Sequence, residues 1–185
     1  MSEPVNYDSI TSLDLSNRQL AVLPDLSMYI NLVKLDCSWN KITSLDNLPT
    51  KLEKLFCSVN KLTLLDNLPH RLKLLYCYNN QITSLDNLPP RLEKLYCGCN
   101  ELTSLDNLPS SLLELNCIDN HIKTLNNLPC NLIKLLANSN PLVSIQNKPT
   151  TLQIIDISTT PLLKFINQKY SISNLIDLCS TCECE

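Results

Sequence analysis

Apolar residues recur along this chain with a period of twenty. Written from one leucine to the next, the unit reads LxxLxCxxNxLxxLDNLPxx, and copies start at Leu32, Leu52, Leu72, Leu92 and Leu112. A looser copy starts at Leu132 and has Ala137 in place of the cysteine. The first copy, from Ile10, runs for 22 residues and carries Arg18 where later copies carry Asn. The last, from Leu152, has Thr160 in the Asn position. Eight coils therefore cover 10–165, and a fixed period of this size predicts a solenoid.

Within a coil the segment LxxLxC places apolar residues at strand spacing, so it predicts a short strand with one buried face. Leu92, Leu95 and Cys97 should point inward, while Glu93, Lys94, Tyr96 and Gly98 border or face solvent. The strand should stop at Asn100. An Asn there can bond its amide to backbone of its own and the neighbouring coil. Asn40, Asn60, Asn80, Asn100, Asn120 and Asn140 then form a ladder through a buried bend. Leu102, Leu105 and Leu108 bring the chain back across the core. Pro109 removes an N–H and fixes φ, so the far side should be extended or polyproline-like, with little helix. Coils stacked ~4.8 Å apart pair their strands in parallel and curve toward the narrow side. The expected fold is a β-rich solenoid with a parallel sheet on its concave face.

Composition sharpens this picture. The chain has 185 residues, 44% of them apolar, with one Gly, 11 Pro and 22 Asn. Asn and Pro must therefore supply the turn chemistry that Gly normally supplies. Net charge is −3, which gives no long-range field toward nucleic acid or an anionic membrane. Five of the ten cysteines, Cys37, Cys57, Cys77, Cys97 and Cys117, share one register of the repeat. They read as a stack of small buried side chains. Free thiols in that number fit a reducing compartment. MSEPVNYDSI shows no basic region followed by an apolar run, and no window approaches a membrane span. Cytoplasmic residence without a cleaved signal peptide is the expectation.

The phrase LxxLxxxxNxL resembles the leucine-rich repeat signature, and the twenty-residue form with LP near its end resembles bacterial-type repeats of enterobacterial effectors. The wording CSxNxITSLDNLPxxL is most similar to leucine-rich repeat proteins of amoeba-infecting, mimivirus-type giant DNA viruses. The resemblance spans 10–165. It implies a leucine-rich repeat fold and a factor acting on a host protein, in the host cytoplasm. Some related effectors carry helical pairs before the repeats and a ubiquitin-ligase domain after them. Nine residues precede the repeats here and about twenty follow, so neither is expected. The predicted organisation is a short segment over 1–9, the solenoid over 10–165, and a cap with a Cys-rich tail over 166–185.

Folding consumes the Leu, Cys, Asn and Pro columns, so function must lie in outward positions that vary between coils. These are the third, fifth, seventh and eighth positions of each coil. Of nine aromatics in the chain, Trp39, Phe56, Tyr76, Tyr78 and Tyr96 map there. Lys34, Lys54 and Lys94 flank them. Aromatics displayed on a sheet are typical binding anchors, although they also suit strands and stack between coils. Binding is favoured because the cluster sits in the central coils and fades toward both ends. Lys beside Tyr76, Tyr78 and Tyr96 could also grip single-stranded nucleic acid, but the balanced charge disfavours it.

Asp46, Asp66, Asp86 and Asp106 form a second column that could attract calcium. Neighbouring Asn47, Asn67, Asn87 and Asn107, with Lys51, Arg71 and Arg91, favour a solvated face instead. The tail CSTCECE groups Cys179, Cys182 and Cys184 without a second pair or a matching His, which points to a frayed terminus. LIDLC after Ser173 suggests a short helix over the last coil. Cys99 is the one candidate nucleophile and reads as a chance exposed thiol. Nothing else has catalytic spacing, so neither enzyme activity nor a cofactor is expected. The sequence predicts a non-catalytic module that binds an unknown protein partner, with no membrane role. The alternatives are a purely structural repeat or, less favoured, a single-strand binder.

Overall fold

The computed structural model describes residues 6–169. A 3-10 turn, Tyr7–Ser9, opens it, and the side chain of Asn6 accepts from the Asp8 amide to cap it. The strands follow: β1 (Ser12–Asp14), β2 (Lys34–Asp36), β3 (Lys54–Phe56), β4 (Leu74–Tyr76), β5 (Lys94–Tyr96), β6 (Glu114–Asn116), β7 (Thr124–Leu125), β8 (Lys134–Leu136), β9 (Ser144–Ile145) and β10 (Ile154–Asp156). Eight form one parallel sheet in the order β1-β2-β3-β4-β5-β6-β8-β10, and β7 pairs with β9 in the returning halves of their coils. The architecture is a β-solenoid with almost no helix.

Register equals the sequence period. Leu35, Leu55, Leu75, Leu95, Leu115 and Leu135 face one another across successive strands, and none is more than 1% exposed. The cysteine column is wholly buried behind them. Cys57 and Cys117 each donate their thiol to a strand carbonyl of the next coil, Tyr76 at 3.3 Å and Leu136 at 3.5 Å. All five are unpaired thiols. Burial pushes Cys37, Cys77 and Cys117 up to about 12 and holds Cys57 and Cys97 well above the usual thiol range. They are inert small apolar groups.

The Asn ladder closes the bend. Asn100 Oδ1 accepts from the Ile82 amide at 2.9 Å, and Nδ2 donates to the carbonyls of Cys77 at 3.0 Å and Cys97 at 3.1 Å. Asn60, Asn80, Asn120 and Asn140 repeat this pattern. From Leu52 onward each coil re-enters its strand through a tight turn in which a Leu amide donates to a Pro carbonyl, as Leu92 does to Pro89 at 3.1 Å; Leu32 donates to Tyr29 instead.

Two further columns adopt left-handed backbone. Asn47, Asn67, Asn87, Asn107, Asn127 and Asn147 have φ between 51° and 63°, a conformation Asn tolerates better than other side chains. The eighth position does the same in every coil from Trp39 to Thr159, with φ of 54–66°. The seventh position departs from its expected outward placement: Ser38, Ser58 and Gly98 are buried there, and Tyr78 is exposed. A Cβ on Gly98 would sit 3.0 Å from the Ile118 carbonyl oxygen. The next coil approaches too closely for that column to be solvent-facing throughout.

At the C-terminal end the core opens. Ile155 occupies the inward strand position yet is 37% exposed. The chain then forms a helix, α1 (Pro161–Lys169), which the repeat period does not predict. Thr160 starts it, accepting from the Leu163 amide at 3.3 Å, with Pro161 as the first helical residue. Leu162 and Leu163 pack against the core. The LIDLC segment and the tail cysteines lie outside the described residues.

Candidate functional site

The fifth position of the strand unit has a folding role of its own. Asp14, Asp36, Asn116 and Asp156 each accept from the amide two residues on, at 2.8–3.1 Å, which fixes the turn after the strand. The hydroxyl and amide of Ser16 hold the Asp14 carboxyl below its usual range. In the three central coils this residue type is replaced by Phe56, Tyr76 and Tyr96. Parallel register brings their rings together. Phe56 and Tyr76 stack at 5.1 Å between centroids, and Tyr76 and Tyr96 at 4.2 Å with planes 8° apart. Lys34 Nζ lies 5.3 Å from the Phe56 centroid, a cation–π distance.

Tyr96 ends the stack in a polar cluster. Its hydroxyl donates to Glu114 Oε2 at 2.9 Å, while Lys94 donates to Glu114 Oε1 at 2.6 Å. Lys94 and, less strongly, the Tyr96 hydroxyl pull the Glu114 carboxyl down against partial desolvation. Burial, reinforced by that carboxylate, pushes the Tyr96 phenol up. The hydroxyl therefore stays protonated and acts as a donor. Lys94 is thus committed within the sheet, a constraint visible in the sequence because Glu114 sits one period beyond Lys94.

The stack is half-buried and shows its ring edges. Phe56 and Tyr96 occupy the two faces of Tyr76, so a base has no access to that ring. Trp39 and Tyr78 lie beyond the strand ends and are 59% and 39% exposed. Lys54 is exposed between Lys34 and Leu74 in the sheet register. The structure therefore joins Lys34, Phe56, Tyr76 and Tyr96 into one contacting row, ties Lys94 to it through Glu114, and leaves Trp39, Tyr78 and Lys54 around it.

The other column is a hydrogen-bonded edge. Asn67, Asn87 and Asn107 donate to Asp46, Asp66 and Asp86, one coil back, at 3.5, 3.5 and 2.9 Å. The Ser84 hydroxyl and then Asn107 hold the Asp86 carboxyl down. Among the described residues, no group of three or more His, Cys, Asp or Glu is placed to hold a metal ion. Cys99 is exposed, but partial burial and the nearby Asp119 raise its thiol above the ordinary range. That is the opposite of an activated nucleophile. Among the described residues no helix is long and apolar enough to cross a membrane.

A parallel sheet of stacked coils with in-register Leu, Cys and Asn columns defines a leucine-rich repeat solenoid. The family model described as "Leucine Rich repeats (2 copies)" matches residues 70–110. The chain is a leucine-rich repeat protein. It is similar to YopM from Yersinia enterocolitica, with 38% identity, a TM-score of 0.75, and 80% of this chain covering 33% of that one. YopM from Yersinia pestis, described as a leucine-rich effector, gives 35% identity and a TM-score of 0.70, over 80% of this chain and 42% of that one. A functional domain of InlJ from Listeria monocytogenes, described as including a cysteine ladder, gives 27% identity and 0.66, over 84% and 41%. The chain thus spans less than half the length of these structures. No curated protein matches its sequence.

Proposed function

We propose that the chain is a non-catalytic interaction module that binds a protein partner on the concave sheet, anchored by Trp39, Phe56, Tyr76, Tyr78 and Tyr96. The observation that carries this reading is the substitution pattern of the fifth column. Asp14, Asp36, Asn116 and Asp156 secure a turn there; Leu136 gives that bond up in one coil near the C-terminal end, and three consecutive central coils give it up for aromatics. Trp39 supports it. Left-handed backbone is costly for a bulky side chain, and this one is left mostly in water. Stacking between coils alone would explain Phe56, Tyr76 and Tyr96, but not Trp39. Solenoids of this class use their concave surface for binding. The repeat wording supports a viral source, and the similarity to a Yersinia effector supports a bacterial one. Either role puts the partner in a host cytoplasm.

Trp39 is the sole tryptophan, which makes the test direct. A partner captured from host lysate on the wild-type chain is titrated back while emission is followed. The reading expects a blue shift and reduced acrylamide quenching as Trp39 is covered. Saturating binding that leaves Trp39 as accessible as before would contradict it.

A further inference from the structure

Two lysines on the concave sheet make no ion pair within the described fold. Lys34 and Lys54 are direct neighbours across β2 and β3, and both are exposed. Like charges opposed across a strand pair are destabilising. Other lysines of this face stand beside a carboxylate. Lys94 meets Glu114 at 2.6 Å, and Lys134 adds to the field on Glu114. Among the described residues Lys34 and Lys54 make no ion pair. The two acids nearest Lys34 in the register hold their own turns, Asp36 accepting from the Ser38 amide at 2.9 Å and Asp14 from the Ser16 amide at 2.8 Å, and Lys34 adds only the weakest of the fields on Asp14. The pair adjoins the aromatic row through Lys34, which lies over Phe56.

We infer that the partner segment is acidic, with a carboxylate seated between Lys34 and Lys54 and an apolar neighbour against the ring edges of Phe56 and Tyr76. This rests on the concave-face reading and narrows it to one chemistry. A peptide carboxylate fits better than a nucleic-acid phosphate. Single-strand binders stack bases on open aromatic faces, whereas Tyr76 is covered on both. Two exposed ammonium groups in a chain of net charge −3 make a local acceptor for one acidic side chain, not a track for a backbone.

The test is selection of random displayed peptides on the full chain, with oligothymidylate as a parallel probe. Enriched peptides should carry Asp or Glu beside Leu, Ile, Val or Phe. Binding of a synthetic copy should fall roughly tenfold in Lys34→Glu/Lys54→Glu. It should hold in Lys61→Glu, on the returning half of the coil, with circular dichroism unchanged in both. Peptides that need Tyr76 and Tyr96 but ignore the two lysines would overturn the acidic assignment and leave the concave-face reading standing. Peptides indifferent to both sets would overturn both. Failure to enrich any peptide counts against the acidic assignment. Tighter binding of oligothymidylate than of the peptides, lost in the lysine variant, would reassign the pair to phosphate.

Discussion

The amide of Asn80 bonds the Leu62 N–H at 3.0 Å, the Cys57 and Cys77 carbonyls at 3.1 and 3.0 Å and, more weakly, the Tyr78 carbonyl at 3.4 Å. Asn80→Ala strands these groups in a buried bend and should cost ~1–3 kcal/mol. Gln81→Ala, at an exposed neighbour, should stay within about ±0.5 kcal/mol. Urea midpoints compare the two directly, and equal values would contradict the ladder. The thiols make a separate expectation. At pH 8, labelling with mass mapping should modify the tail cysteines and, among the described ones, Cys99 and then half-buried Cys130, and spare the five ladder cysteines. Below about pH 9 these five are protonated in folded and unfolded chains alike. Above it unfolded thiols ionise, while those of Cys37, Cys77 and Cys117 are held at about 12. Stability should therefore fall as pH rises from about 9 toward 12, by up to ~1.4 kcal/mol per thiol per pH unit. The slope should be shallower in Cys57→Ala/Cys77→Ala, and identical slopes would contradict thiol burial as its source. The Asn and Cys roles were legible because each repeats at a fixed register through consecutive coils, and such a column must serve what those coils share.

Elements here are too short to stand alone. A three-residue strand depends on its neighbours in the sheet, so removing one inward leucine affects a whole neighbourhood. Leu75→Ala should cost about 2–5 kcal/mol. Helix α1 is different, because it ends the repeat. Thr160→Ala removes its cap and should cost ~1 kcal/mol, seen as a lower melting temperature with little change in the sheet. Period-counting passed over α1 because it reads Thr160 as an eroded Asn and Pro161 as a loop residue. The pair is also a helix start, a hydroxyl cap followed by proline, and that signal was available. Gly98 was misplaced for a related reason. Strand alternation says which face a residue takes, but not how closely the next coil approaches, and Ile118 lies where a side chain would go.

Across the whole molecule the columns divide by task. Those that recur in every coil hold the solenoid together, and the sequence displays them openly. The candidate site is legible only as a departure from them: three aromatics where Asp or Asn belongs, Trp39 on left-handed backbone, and two lysines without an ion pair. Spacing aligns Lys94 with Glu114, but the ring stacking and the Tyr96 hydroxyl bond to Glu114 depend on side-chain conformation and were not readable from it. The central claim is that the concave aromatic row carries binding while the acidic column is scaffold. Calorimetric titration of the captured partner with two variants tests it: Tyr76→Ala/Tyr96→Ala, and Asp66→Ala/Asp86→Ala on the opposite edge. The account expects the aromatic variant to lose ~2–4 kcal/mol of binding free energy and the acidic variant to bind as wild type, both with unchanged circular dichroism. Retained binding in the first and loss in the second would contradict it and move the site to the acidic edge.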